Sequence, residues 1–213
     1  MKSTLFNMVA VLFTITLIAS AGVGAVNMIT EDAIAEANRQ ATVAAVANVL
    51  PAFEKSEMST MTIDEMPINI YTAVDGSGAV VGYAVETMTM SGFSGKVRMM
   101  VGFDAEGTIL NVNVLEQSET PGLGSKMCDE GNVLLASVQG KNPANLKLKV
   151  KKDGGDIDAL TAATISSRAY ADAVARAYEA FKVASGAQES TDGVSGATAT
   201  HEDHDAQEGG DNE

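Results

Sequence analysis

The 213-residue chain has no tryptophan, one cysteine, two histidines, and only 14 lysines and arginines against 28 aspartates and glutamates. Each scarcity removes a class of chemistry. A single cysteine rules out an internal disulfide framework, a cysteine-ligated iron–sulfur cluster and a CxxCH haem attachment. Cys128 itself reads as a small, half-buried apolar residue. A formal net charge of −14 argues against a nucleic-acid partner, which requires clustered lysine and arginine to neutralise phosphates. The two histidines, His201 and His204, have HxxH spacing but stand among acids in a polar tail, so a solvated segment is expected there and not a metal site. If the chain handles electrons, an organic cofactor must carry them.

Apolar residues make up 46% of the chain, enough for a real core in one domain of ordinary size. The first apolar feature is a run without charge from Thr4 to Val26. As a helix it would extend about 35 Å, at ~1.5 Å per residue, against a hydrocarbon core of about 30 Å. Lys2 precedes it, and Glu31 and Asp32 follow it. The positive-inside bias then puts the N-terminus in the cytoplasm and the rest of the chain outside. Two readings remain open: a retained single-pass anchor over residues 1–28, favoured because apolar character continues to Val26, and a cleaved signal peptide ending near Ala19-Ser20-Ala21. Both export the domain.

Glu31 to Leu50 is expected to form a separate helix, capped by Thr30, ended by Pro51, with Ile34, Ala37, Ala41, Ala44, Ala45 and Val49 on one face. Glu54 to Pro67, polar and rich in methionine, is expected to be a loop. The period then changes to that of strands: Ile68–Val74, Ala79–Met90, Lys96–Phe103 and Thr108–Leu115, separated by glycine-bearing turns. A short strand is expected at Leu146–Val150 and a last helix at Ser166–Val183, with Tyr170, Val174, Ala177 and Phe181 at helical spacing. The expected fold is α+β: an N-terminal transmembrane helix, then one domain (residues 29–183) with an antiparallel meander flanked by helices. Residues 184–213, acidic and without apolar periodicity, are expected to be a disordered tail.

Two stretches carry candidate chemistry. In Asp158-Ala-Leu-Thr161-Ala-Ala-Thr164-Ile-Ser166-Ser167, hydroxyls and small residues crowd a helix start, where free backbone N–H groups favour a phosphate. In Glu119-Thr120-Pro121-Gly122-Leu123-Gly124, the proline fixes the backbone and the glycines let it approach a flat ligand. The first pattern recurs at Asp192-Gly193-Val194-Ser195-Gly196-Ala197-Thr198-Ala199-Thr200.

The N-terminal apolar run, Ser91-Gly-Phe-Ser-Gly95, the Glu119–Gly124 stretch and the Asp158–Ser167 stretch, in that order, resemble the FMN-binding G subunit of the Rnf electron-transport complex. That family is related to the C subunit of the sodium-pumping NADH:quinone reductase. The resemblance implies a membrane-bound electron carrier with FMN joined to Thr164 through a phosphoester, installed by a flavin transferase using FAD and Mg²⁺. Asp158, Thr161, Ala163 and Ser166 would be the surrounding recognition positions, and the flavin ring would rest against Glu119, Thr120, Gly122, Leu123 and Gly124. The other membrane subunits of the complex would be its partners. Most family motifs have glycine where this chain has Ala162. The tail copy has that glycine, at Gly196, which makes Thr198 a second candidate acceptor. Two other readings are a stand-alone exported flavoenzyme reducing a small acceptor and a non-catalytic assembly protein.

Overall fold

The computed structural model describes residues 5–186. Its elements run α1 (Leu5–Val49), β1 (Lys55–Ile63), β2 (Met66–Val74), β3 (Val80–Gly92), β4 (Gly95–Phe103), β5 (Ile109–Gln117), α2 (Val133–Val138) and α3 (Thr164–Ala184). The five strands form one antiparallel sheet in sequence order, β1-β2-β3-β4-β5. This is the expected meander with one strand more.

The sheet is covered differently on its two faces. Helix α3 lies across one face, where Ile68, Ile70, Val85, Val97, Met99, Val101 and Phe103 meet Tyr170, Val174, Ala177 and Phe181. The C-terminal turns of α1 cover part of the other, where Ala45, Val46, Val49 and Leu50 meet Ala73, Ala84 and Met100. Consequently β4 is buried on both faces from Met99 to Phe103, while its start alternates. Gly102 marks the crossing: a Cβ there would collide with the Val49 carbonyl, so only glycine lets α1 come this close. Arg176 holds α3 lengthwise. Its Nη1 donates to the Met88 carbonyl at 2.8 Å, and Asp172 beside it accepts from the Thr89 hydroxyl at 2.7 Å.

Four expectations need correction. The membrane run and the Glu31–Leu50 helix are one uninterrupted helix of 45 residues, about 68 Å long at ~1.5 Å per residue. Thr30 does not cap; its hydroxyl donates back to the Val26 carbonyl at 2.9 Å, and neither glycine nor proline breaks the chain between Gly24 and Pro51. Only the last turns of the expected apolar face pack on the sheet: Ala45 and Val49 are buried, while Ile34, Ala37, Ala41 and Ala44 are exposed. The helix is long and apolar enough to cross a membrane.

The segment expected as a loop at 54–67 contains strand β1, paired with β2 from Lys55↔Val74 to Ile63↔Met66. Its turn uses two left-handed residues that are not glycine, Asp64 (φ 49°) and Glu65 (φ 62°). Leu146–Val150 is not a strand. Asp156 takes the Lys147 N–H on its side chain at 2.7 Å and returns its own N–H to the Lys147 carbonyl at 3.0 Å. That leaves Val150 a single bridge to Ile157. Helix α3 begins at Thr164, so Ser166 lies inside its first turn. Of the segment 184–213, residues 184–186 are described; Thr198, His201 and His204 lie outside the described residues.

Candidate functional site

Three segments distant in sequence meet at one carboxylate. Glu119, two residues beyond β5, is 4% exposed. Its Oε1 accepts from the Ser94 N–H (3.1 Å) in the β3–β4 turn, and its Oε2 accepts a short hydrogen bond from the Ser166 hydroxyl in the first turn of α3. The surroundings are made of glycine because nothing larger fits. A Cβ on Gly92 would lie 2.6 Å from Oε1, and one on Gly124 would lie 2.7 Å from Oε2 and collide with Ser166 Oγ. Gly124→Ala is therefore expected to cost about 1–3 kcal/mol through overpacking, read as a lower thermal midpoint.

The loop after Glu119 is closed on itself. The Thr120 carbonyl accepts from the N–H groups of Leu123 (3.1 Å) and Ser125 (3.3 Å), and Gly122, at φ 76°, donates to Ser125 Oγ at 2.9 Å. Leu123 is left exposed beside the buried Gly124.

The start of α3 is built by Ser167, whose role no sequence pattern announces. Its hydroxyl accepts from the Leu160 N–H at 2.9 Å and donates to the Ala163 carbonyl at 2.9 Å. The turn thus closed holds Ala162 at φ 60°. A left-handed backbone costs an L-residue with a Cβ roughly 1 kcal/mol. Ala162→Gly is expected to raise stability by about 0.5–1 kcal/mol, measured by denaturant unfolding; a loss of stability would mean the turn is not under this strain. Among the described residues no side chain caps α3, which leaves the amides of its first turn without a side-chain acceptor. Thr164 is half-buried at this start, and Thr161 and Ile165 are exposed on either side.

The structure thus brings Glu119 and Gly124 against Ser166; Thr120, Gly122 and Leu123 lie in the same loop as the first two, and Ala163 and Thr164 at the same helix start as the third. Asp158 has other partners: Lys151 Nζ lies 2.7 Å from its Oδ1, and its N–H donates to Ser137 Oγ of α2 at 2.9 Å. The Lys151 ammonium, helped by Ser137, holds the Asp158 carboxyl below the usual range. Ser94 and Gly92 belong to the cluster although only their motif, not their roles, was visible in sequence. Cys128, at the end of the turn that follows Gly124, is exposed and not half-buried as expected; the desolvation it does undergo and then the neighbouring Asp129 push its thiol up.

The FMN-binding domain family matches residues 92–179, from the β3–β4 turn into α3, and so includes all three segments gathered at Glu119. The G subunit of the ion-translocating oxidoreductase complex of Shewanella amazonensis is 35% identical over 75% of this chain and 80% of its own. The chain belongs to the G-subunit family of ion-translocating oxidoreductase complexes. The G subunit of Shewanella baltica is 32% identical over 83% of this chain and 89% of its own. The G subunit of the Na⁺-translocating ferredoxin:NAD⁺ oxidoreductase complex of Acetobacterium woodii is 30% identical over 77% and 85%. The crystal structure of NqrC from Shewanella oneidensis is similar at 21% identity and a TM-score of 0.37, over 62% of this chain and 65% of that one. The likeness to that structure is too loose to bear on the site.

Proposed function

We propose that this G subunit carries electrons in a membrane-bound, ion-translocating ferredoxin:NAD⁺ oxidoreductase, through FMN joined to Thr164 by a phosphoester. The observation that carries the reading is the meeting of the Glu119–Gly124 loop with the turn of α3 that bears Thr164. The residues fit the cofactor. The uncapped amides of the first turn suit a phosphoryl group, and the exposed Phe93, Leu123 and Ile165, each beside a residue of the cluster, offer apolar surface to a flat ring. FMN supplies reversible electron uptake, which no side chain here provides.

Attachment needs outside help. A threonine hydroxyl is a weak nucleophile without an adjacent base or metal, and Thr164 has Ala163 and Ile165 as neighbours. A flavin transferase using FAD and Mg²⁺ would supply the base. Thr164 Oγ1 would be the group that accepts the FMN phosphoryl from FAD, with its proton passing to that base and AMP as the leaving group. Thr164 is partly exposed, and Thr161 and Ile165 beside it are exposed, so the segment can be approached by such an enzyme.

The rest of the chain supports transport from a membrane. Residues 1–28 serve as the anchor, 29–183 as the FMN-binding domain and 184–213 as an acidic tail whose Thr198 is a second candidate acceptor. With the N-terminus in the cytoplasm, the domain stands on the extracytoplasmic side of the inner membrane. One helix cannot form an ion pathway, so ion movement belongs to the other membrane subunits.

The test is intact mass of the full chain produced with a flavin transferase and extracted in detergent. An increase of one FMN phosphoryl group is expected, or two if Thr198 is also loaded. Protein that stays colourless and unshifted in mass ends the flavoprotein reading. Co-purification with polytopic membrane subunits distinguishes a member of a complex from a stand-alone exported flavoenzyme.

A further inference from the structure

Glu119 does more than a loop closure requires. Its two hydrogen-bond partners, the Ser94 N–H and the Ser166 hydroxyl, are neutral and lie 25 and 47 residues away in sequence. A backbone carbonyl or an amide side chain would accept similar hydrogen bonds without the cost of withdrawing a carboxylate from water. Thr164, in contrast, has no side-chain cap at its helix start, and Ser166, held by Glu119, is two residues on in the same turn.

Resting on the reading of Thr164 as the acceptor, we infer that Glu119 is its positioning residue: the buried carboxylate pins the first turn of α3 to the β3–β4 turn, and its charge biases the redox group that Thr164 bears. Glu119 is thereby moved from the expected ring-contact set to a role beneath the site. At 4% exposure it has little surface to offer a ring. Its influence passes through Ser166 to the orientation of Thr164, and through the low-dielectric surroundings to the cofactor. A negative charge screened weakly by water opposes electron uptake, so it holds the flavin potential lower than a neutral side chain would.

The proposal also accounts for the two glycines. Gly92 and Gly124 flank the carboxylate on opposite oxygens, and a Cβ at either would displace it. The Gly95 carbonyl oxygen and Ser166 Oγ stand closer still to those two positions, so the glycines also admit the β3–β4 turn and the first turn of α3.

The experiment uses the full chain produced with a flavin transferase, as wild type, Glu119→Gln, Glu119→Ala and Ser166→Ala. Glutamine keeps an acceptor for the Ser94 N–H and presents its own N–H to Ser166 Oγ, but carries no charge. Expected are a fall in Thr164 loading of about tenfold or more for Glu119→Ala and Ser166→Ala, near-normal loading for Glu119→Gln, and a more positive flavin potential in Glu119→Gln. A merely structural role would lower the melting temperature without moving the potential. Wild-type loading in Glu119→Ala, or an unchanged potential in Glu119→Gln, overturns the proposal. If wild type carries no FMN on Thr164, the attachment reading fails by itself. Amide exchange in the unloaded protein then decides the clasp: faster exchange at Ser94 and Ser167 in Glu119→Ala supports it, and unchanged exchange overturns it.

Discussion

Thr164→Ala is expected to abolish flavin attachment at the head of α3 while leaving the fold intact. The hydroxyl of the half-buried Thr164 is the only part of the side chain that the proposed linkage uses, and alanine is a good helix former at a first-turn position. The stability change is expected to stay within about 0.5 kcal/mol. Flavin that survives denaturation should vanish from this position, as read by in-gel fluorescence, while the melting curve remains that of wild type. Thr164→Ser, which keeps a hydroxyl, is the matched control and should retain some attachment. Performing the substitution in a Thr198→Ala background removes the tail copy from the account. Full fluorescence in the double variant would mean that neither motif threonine is the acceptor.

Phe103→Ala has the largest expected effect on stability. Phe103 is fully buried on β4, with its ring centroid 5.0 Å from Phe181 and 6.2 Å from Tyr178 of α3. Tyr83 meets Phe181 edge-on at 5.3 Å, so removing Phe103 opens the aromatic group that fastens the C-terminal half of α3 to the sheet. Phenylalanine-to-alanine changes in cores cost about 3–5 kcal/mol, against a total of about 5–15 kcal/mol for a typical domain. The domain should therefore unfold at markedly lower denaturant. It should also lose flavin loading, because the same helix carries Thr164 at its other end. A shift of less than about 1 kcal/mol would show that the site collapses to fill the gap.

The central strands were legible because two signals agreed. Residues such as Ile68, Ile70 and Val85 alternate, and Asp75 and Asp104 open glycine-bearing turns in which their carboxylates accept backbone N–H groups. Helix α3 was legible from the spacing of Tyr170, Val174, Ala177 and Phe181, all buried against the sheet. Strand β1 was not. It is an edge strand that buries little, only Met61 and Ile63 pack toward the core, and Asp64-Glu65 turns without the glycine that normally announces a hairpin. The continuity of α1 was hidden because the change from apolar to charged residues near Glu31 resembles a boundary, although the backbone hydrogen bonds run through it.

Much the same division holds at the site. The two motif stretches could be picked out by composition and resemblance, and the structure joins them. Their junction could not be read, because it depends on a glutamate and two serines far apart in sequence whose pairing only the packed fold decides. Asp158 shows the converse. It opens the motif in sequence, yet its partners in the fold are Lys151 and Ser137, not the residues bonded to Glu119. Ala162 was visible as a departure from glycine, and its left-handed backbone now gives that departure a physical cost.

The most direct measurement is fragment-ion mass spectrometry on the proteolytic peptide that contains Thr164, taken from full-length protein produced with a flavin transferase. The account predicts one FMN phosphoryl group on Thr164, with Thr161, Ser166 and Ser167 unmodified. An unmodified Thr164 peptide from protein that carries flavin only elsewhere would contradict it.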